Sequence, residues 1–254
     1  MRASVVVKIG GSTLGAAGHT FSDLAKFAAT DHIPVVVHGG GAEATAWLEA
    51  MQIPSRFENG LRVTDDAALP IIVAVYAGLV NKRVVASLLD AGVLASGLCG
   101  VDGDTVECRP SDPALGRVGE PERVRLETLH ALLAAGVMPV VGPVGFVREG
   151  GERQLVNVNA DTVAAAIAGG LDSPELVLMT DVSGVQGADG NVVPRLTSAE
   201  AESLIASGVA SGGMVPKLRA CLESTRRGVP ARILDGRRAG ALLDRGEHGT
   251  LIVP

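Results

Sequence analysis

The chain has 254 residues, a formal net charge of −6 and a pI near 5.4. Apolar residues make up 47% and glycine accounts for 33 residues, which is typical of a soluble globular enzyme with many tight turns and argues against a disordered chain. Basic residues form no block longer than a pair such as Arg226-Arg227, so we expect no nucleic-acid partner.

Short β-branched segments alternate with helical ones along the chain. The segments 4–10 and 33–41 are apolar on both faces, and a segment with helical spacing lies between them. A strand–helix–strand unit of this kind predicts parallel pairing with a right-handed crossover. Further strands are predicted at 92–100, 138–145, 175–182, 231–236 and 249–254. Helices are predicted at 43–51, 66–90, 124–135, 160–170, 198–207 and 213–227.

Four features interrupt this alternation. The segments 106–121 and 146–159 carry turn residues and few long apolar runs, so each is expected to form a hairpin or a loop beside the sheet. Pro70 lies in the helix predicted at 66–90, which is therefore expected to start later or to kink. Two glycines and a proline at 168–175 indicate a hinge between a helix and the next strand.

Two glycine-rich loops follow predicted strands. Lys8 ends an apolar run before Gly10 and Gly11, so its ammonium group must either reach solvent or meet an anion. This loop and the loop at 39–41 each open a helix, where backbone N–H groups favour an anion. Neither matches GxGxxG or GxxxxGK[ST], and either one alone could be an ordinary turn. Their joint occurrence favours a phosphate site.

Four polar residues stand in apolar surroundings. Arg62 could hold a carboxylate in two hydrogen bonds or form a surface salt bridge. Asn157 and Asn159 alternate before a helix that has Asp161 near its start. Asp161 could be a plain N-cap, but the two asparagines form a polar face that a cap does not require.

Two further residues bear on whether a phosphate binds here. Lys217 lies one turn into a helix, where it opposes the helix dipole unless a phosphate is bound nearby. His38 precedes the second glycine loop and is interpreted as a strand-end residue rather than a catalytic base.

The sequence gives no signal for a membrane or for secretion. Only three valines precede Lys8, and the longest uncharged segment, 131–147, is broken by glycine and proline and is shorter than the ~18 residues of a spanning helix. Cys99, Cys108 and Cys221 form no metal-binding motif and favour a reducing compartment. We expect a cytoplasmic protein with no membrane partner and no protein-held metal.

Eight motifs resemble those of the amino-acid kinase superfamily, in the same order, over residues 5–252. They are KIGGS, HGGG, NGLRVTD, LVNK, NVNAD, LMTDVSGV, GGMVPKL and GTLI. NGLRVTD together with NVNAD is similar to the members that phosphorylate N-acetyl-L-glutamate in arginine biosynthesis, whereas the lysine–glycine and aspartate motifs alone would also fit carbamate, uridylate, aspartate or glutamate kinases.

The resemblance implies an α/β fold, a three-layer sandwich with a central, mainly parallel open sheet of about eight strands. It also implies two lobes. Residues 1–170 would bind the acyl amino acid and form the dimer, and residues 171–254 would bind ATP. Because few residues precede Lys8, we expect a homodimer that L-arginine does not inhibit.

The resemblance also implies roles for individual residues. Lys8 and Lys217 would stabilise the transferring phosphoryl group, and Asp161 would orient both lysines. Acceptor binding is implied for Gly40, Gly41, Arg62 and Asn157. Nucleotide binding is implied for Gly10, Gly11, Thr180, Asp181, Val182, Ser183, Gly184, Val185, Val209, Ala210 and Ser211, with the role of Asp181 left open.

The implied co-substrate is ATP with Mg²⁺, which the nucleotide phosphates would mainly hold. Two alternatives stay open. A kinase of lysine biosynthesis acts on carrier-bound aminoadipate or glutamate through a basic site, and the neutral NVNAD motif favours acetylglutamate instead. A non-catalytic nucleotide-binding subunit would tolerate the loss of Lys8, Lys217 or Asp161, and all three are present.

Overall fold

The computed structural model describes residues 3–11, 19–30, 32–244, 246 and 248–254. Its strands are β1 (Ala3–Ile9), β2 (His32–His38), β3 (Arg56–Glu58), β4 (Leu61–Val63), β5 (Ala95–Cys99), β6 (Val106–Pro110), β7 (Val118–Val124), β8 (Met138–Gly142), β9 (Val144–Glu149), β10 (Glu152–Val158), β11 (Leu176–Thr180), β12 (Arg195–Thr197), β13 (Ala231–Asp235) and β14 (Thr250–Val253). Its helices are α1 (Thr20–Ala28), α2 (Gly41–Ala50), α3 (Ala68–Asp90), α4 (Glu127–Ala134), α5 (Ala160–Gly170), α6 (Ser198–Ala206) and α7 (Met214–Arg226).

An eight-stranded sheet runs through the described part of the chain. Its strand order is β12-β14-β13-β11-β1-β2-β8-β5, and every neighbouring pair is parallel except β13 with β14. Because β1 lies between β11 and β2, the carboxyl end of β1 meets the ends of both neighbours at one edge of the sheet. The predicted α/β class with a mainly parallel sheet of about eight strands is confirmed.

Helices cover both faces of this sheet. Alternate side chains of β1 point to opposite faces, so Val6 packs in one core with α4, α5 and α7, whereas Val5 and Val7 pack in another with α1, α2 and α3. All three valines have no exposed surface. A sheet buried on both faces explains why its strands are continuously apolar.

A smaller closed barrel of four strands, in the order β10-β7-β6-β9, lies beside the main sheet in the described chain. It contains the two hairpins predicted at 106–121 and 146–159, since β6 pairs with β7 and β9 with β10 in antiparallel fashion. The single strand predicted at 138–145 is wrong. Pro143, which has no N–H for a sheet, divides it into β8 of the main sheet and β9 of the barrel.

Helix α3 begins later than predicted, at Ala68, whose N–H donates to the Asp65 side chain at 2.8 Å. Pro70 therefore falls in the first turn, where a missing N–H costs no helical hydrogen bond. The segment Ala74–Val80 is a π-helix. With 23 residues α3 is long and apolar enough to cross a membrane, but Ile72 and Leu88 on one side are fully buried in the protein core, as in a core helix of a soluble domain.

The three cysteines are buried packing residues, and we predict that they are chemically inert in the folded protein. Burial raises the pKa of Cys99 to about 11 and that of Cys108 to about 12, and it also raises the pKa of Cys221. Because the thiolate is the reactive form, a thiol reagent at pH 8 should label none of them until a denaturant is added. Rapid labelling of any one without unfolding would contradict this burial.

Candidate active site

A buried carboxylate joins two lysines at the carboxyl edge of the sheet. Lys8 lies near the end of β1, and its Nζ is 2.7 Å from Oδ1 of Asp161, the second residue of α5. The other oxygen, Oδ2, is 3.4 Å from Nζ of Lys217 in the first turns of α7. The side chains of Lys8 and Asp161 are only 7% and 6% exposed, so Lys8 does not escape to solvent.

Asp161 is available for this bridge because a neighbouring residue caps the helix. The side-chain oxygen of Asn159 accepts hydrogen bonds from the N–H groups of Asp161 at 2.8 Å and of Thr162 at 3.2 Å. The alternative that Asp161 is a plain N-cap is therefore wrong, since Asn159 fills that role and leaves the aspartate side chain to face the lysines.

The charges of the bridge shift the pKa values of its members. Burial opposes ionisation of Asp161, but Lys8 and Lys217 together outweigh it, so the pKa of this carboxyl is lowered. Burial lowers the pKa of Lys8, and Lys217 lowers it further, while the attraction of Asp161 and a weaker attraction of Asp181 oppose both. A phosphate bound at this position would meet two lysine side chains that share one directly contacting carboxylate.

The two glycine loops face each other beside Lys8. The N–H of Gly10 donates to the Met179 carbonyl at 2.9 Å, and the N–H of Gly39 donates to the Ile9 carbonyl at 2.9 Å. These two N–H groups therefore continue the hydrogen bonding of the sheet and are not free to bind a phosphate. A Cβ added to Gly11 would lie 3.6 Å from the backbone nitrogens of Gly40 and of Gly41. The loops thus place backbone nitrogens within a few ångströms of one another, as phosphate sites require.

Arg62 lies in a cavity of about 200 Å³ that also contains Lys8, Gly11, Gly40, Gly41 and Asn157. The Arg62 side chain is buried and donates hydrogen bonds to the Gly41 carbonyl at 2.9 Å, to Thr45 Oγ1 at 2.7 Å and to Ser55 Oγ. Its Nε–H is buried without a hydrogen-bond partner among the described residues. The alternative of a surface salt bridge is wrong, because these partners are uncharged and the guanidinium is held inside the cavity.

Asn157 approaches the same cavity from β10. Its side-chain nitrogen donates to Thr64 Oγ1 at 2.9 Å, and Thr64 Oγ1 in turn lies 3.3 Å from the Arg62 carbonyl. Asn157 and Asn159 both line the cavity, as their spacing predicts, and the Asn159 side chain also caps α5.

Aromatic and hydroxyl residues complete the cavity, and the sequence analysis did not place them there. The Phe57 ring lies 4.6 Å from the Arg62 guanidinium carbon. Tyr76 packs so closely on the second glycine loop that a Cβ on Gly40 would lie 2.9 Å from its ring. Burial raises the pKa of Tyr76 against a smaller opposing effect of Arg62. Tyr76 lies in the π-helical segment of α3, and such segments are frequent at functional sites.

A second, larger cavity of about 740 Å³ is lined in part by Lys217, which the Asp161 bridge links to Lys8 of the smaller cavity. It is lined by Thr180, Asp181, Val182, Ser183, Gly184, Val185, Gln186, Val192, Val209, Ala210, Ser211, Gly213, Met214 and Lys217. All residues of 180–185 and 209–211 that were predicted to bind nucleotide therefore lie in one cavity. Gly11 borders the smaller cavity instead.

The fold and the site together define a class of enzyme. A cavity large enough for a nucleotide and a smaller one with an arginine lie on either side of a lysine–aspartate–lysine bridge, as a phosphotransferase requires. The chain belongs to the amino acid kinase family, whose model matches residues 3–235. Membership of a kinase family implies the use of ATP.

Several known proteins resemble this chain over almost their whole length. An acetylglutamate kinase of Rubrobacter xylanophilus is 46% identical over 252 residues, covering 98% of this chain and 96% of that protein. An acetylglutamate kinase of Dehalococcoides mccartyi is 42% identical over 254 residues, covering 98% and 93%. The crystal structure of smu.665 from Streptococcus mutans UA159 matches with a TM-score of 0.87 at 29% identity, covering 100% and 99%.

Proposed function

We propose that the enzyme transfers the γ-phosphoryl group of ATP to the side-chain carboxylate of N-acetyl-L-glutamate, a step of arginine biosynthesis. The buried Arg62 guanidinium, with an unpartnered Nε–H in the small cavity beside Lys8, carries this proposal, because it fits a carboxylate. The names of the two kinases that share more than two fifths of its sequence support the same acceptor.

The reaction needs positioning and charge neutralisation rather than a base. The acceptor carboxylate is already ionised at neutral pH, so one of its oxygens attacks the γ-phosphorus directly. The new oxygen–phosphorus bond forms as the bond from the γ-phosphorus to the bridging β,γ-oxygen breaks, and ADP leaves with that electron pair. Lys8 and Lys217 lie where they would offset negative charge on the transferring group, and Asp161 holds both in place.

The larger cavity is proposed to hold ATP, with Lys217, which the Asp161 bridge links to Lys8 of the smaller cavity, near the γ-phosphate. Mg²⁺ would be held mainly by the phosphate oxygens, because no three His, Cys, Asp or Glu side chains cluster within the described ranges. When bound, the ion would neutralise charge on the nucleotide phosphates.

The division into lobes, the oligomeric state and the location are also proposals. Residues 1–170 would bind the acceptor and residues 171–254 the nucleotide, since the two cavities draw most of their lining from these respective parts. A homodimer is supported by Leu89 and Leu94, which are 48% and 58% exposed beside the edge strand β5. Cytoplasmic location stays a prediction from the sequence.

A panel of acceptors tests the proposed function. Acyl phosphate formed with ATP and Mg²⁺ is trapped as the hydroxamate, with N-acetyl-L-glutamate, glutamate, aspartate, aminoadipate and carbamate compared side by side. We expect product from N-acetyl-L-glutamate only. If no free acceptor gives product although ATP binds normally, a carrier-bound acceptor or a non-catalytic subunit would be favoured. Equal activity on unacetylated glutamate would contradict the proposed specificity.

A further inference from the structure

A buried histidine and asparagine lie directly behind the second glycine loop. Neither His38, at the end of β2, nor Asn81, in α3, has any exposed surface, and neither lines the two cavities described above. Nδ2 of Asn81 lies 3.1 Å from Nε2 of His38, 2.9 Å from the Val140 carbonyl and 3.3 Å from the Leu98 carbonyl. Asn81 thus ties together the carboxyl ends of β2, β8 and β5.

These contacts fix the protonation of the imidazole ring. A carbonyl oxygen only accepts, so the two carbonyls require the NH₂ end of the Asn81 amide on the side that faces His38. The Asn81 Oδ1 atom accepts from Lys82 Nζ at 2.9 Å, which agrees with that orientation. The Gly39 carbonyl, 2.7 Å from Nδ1, likewise only accepts, so the proton of the neutral ring lies on Nδ1. Nε2 is then unprotonated and faces the Asn81 NH₂ group at 3.1 Å, whose two protons are shared among three acceptors.

The hydrogen bond to Gly39 controls the direction of the next N–H group. No cis peptide bond occurs among the described residues, so the Gly39 carbonyl and the Gly40 N–H point in opposite directions across one planar group. The carbonyl is held by His38, and Gly40 N–H consequently points away from the imidazole. The Gly40 nitrogen also lies 3.6 Å from the place of a Cβ on Gly11, on the side of the first loop.

We propose that His38, oriented by Asn81, is a positioning residue that sets the peptide plane between Gly39 and Gly40 and so aims the Gly40 N–H at the reacting groups. This inference rests on the proposed function, because that function supplies the phosphoryl group and the acceptor carboxylate between the loops. His38 itself moves no proton in the reaction, since both of its ring nitrogens are used inside the protein.

The ring is neutral under ordinary conditions. Burial lowers the pKa of His38 to about 4, the hydrogen bond to Gly39 opposes this, and the charge of Lys82 on α3 lowers it slightly more. A neutral ring with a protonated Nδ1 is the state that the hydrogen bonds require.

Nitrogen-15 NMR of the wild-type protein tests the protonation directly. We expect a protonated Nδ1 and an unprotonated Nε2 for His38 between pH 5.5 and 9, with the His38 signals identified by their absence in His38→Asn. A protonated Nε2, or an imidazolium ring in this range, would overturn the proposal. This measurement needs neither substrate nor activity, so its outcome is independent of the acceptor.

Two substitutions separate positioning from packing. His38→Leu fills most of the volume without a donor for the Gly39 carbonyl, whereas His38→Asn keeps an amide N–H near the place of Nδ1. We expect His38→Leu to lower kcat on the order of tenfold and to leave the equilibrium affinity for ATP within about twofold, and we expect His38→Asn to recover most of that loss.

The control is Val84→Ala, which removes buried volume from α3 one turn beyond Asn81 but leaves every hydrogen bond of His38 and Asn81 in place, and it should keep wild-type kcat. Wild-type kcat in folded His38→Leu would overturn the positioning role, and so would equal losses in the Leu and Asn variants. Failure of the wild-type protein to phosphorylate any acceptor would instead count against the proposed function, with the NMR result still deciding the protonation.

Discussion

Asp161→Asn is expected to lower kcat by about 100-fold or more and to destabilise the fold by about 3 kcal/mol. The carboxylate contacts Lys8 at 2.7 Å and Lys217 at 3.4 Å, and both lysines would lose this shared counter-charge. The amide is almost the same size, so the change removes charge rather than packing. Rates with trapped acyl phosphate and urea unfolding measure the two effects separately.

A second variant shows which effect belongs to catalysis. Asp161→Asn alone leaves the buried Lys8 ammonium without its carboxylate partner. Adding Lys8→Met removes that ammonium, so the double variant should be more stable than Asp161→Asn. Activity should stay low, because a lysine proposed to stabilise the transferring phosphoryl group is then missing. Asp66→Asn, which removes only an ion pair with Arg117 in solvent, serves as the control with unchanged kcat. Near-normal kcat in Asp161→Asn would exclude the bridge from the reaction.

The main sheet and its helices follow from local pattern in the sequence. Strands β1, β2, β5, β8, β11, β13 and β14 fall in segments predicted as strands, because a strand buried on both faces is mostly apolar and rich in β-branched residues. The three-residue strands β3, β4 and β12 were missed. All residues of β3 are exposed, so its pairing with β4 leaves no apolar alternation to detect.

The bridge between the lysines was only partly predictable. A lysine at a strand end and another in the first turns of a helix are each electrostatically awkward, which singled out Lys8 and Lys217 individually. That one carboxylate meets both lysines depends on how α5 packs against β1 and how α7 packs against α5, since these residues come from three separate parts of the chain. The periodicity of a short segment does not predict a contact between residues that are far apart in the sequence.

The partners of Arg62 show the same limit. Thr45 and Ser55 hold its guanidinium, but a threonine in a helix and a serine in a loop are ordinary surface residues by sequence. Their role is set by the position of α2 beside the β3–β4 hairpin. Helix capping was equally ambiguous, because Asn159 and Asp161 are both good N-caps and only the backbone geometry decides between them.

Arg62→Lys is expected to raise the KM for N-acetyl-L-glutamate by about 30-fold or more. Lysine keeps the positive charge but cannot reproduce the planar fork, which donates at once to Gly41, Thr45 and Ser55 while leaving the buried Nε–H for a substrate. The KM for ATP should change by less than about threefold, since Arg62 lines only the smaller cavity.

The matched control is Arg83→Lys, an exposed arginine paired with Glu43, for which both KM values should stay at the wild-type level. Initial rates with one substrate varied at a saturating level of the other separate the two KM values.

A competitive inhibitor distinguishes the two carboxylates of the acceptor. An N-acetylated analogue that lacks the side-chain carboxylate cannot be phosphorylated, so its inhibition constant measures binding through the main-chain carboxylate and the acetyl group alone. If Arg62 binds the main-chain carboxylate, Arg62→Lys should weaken this inhibitor as well. An unchanged inhibition constant and an unchanged KM would together remove Arg62 from the acceptor site.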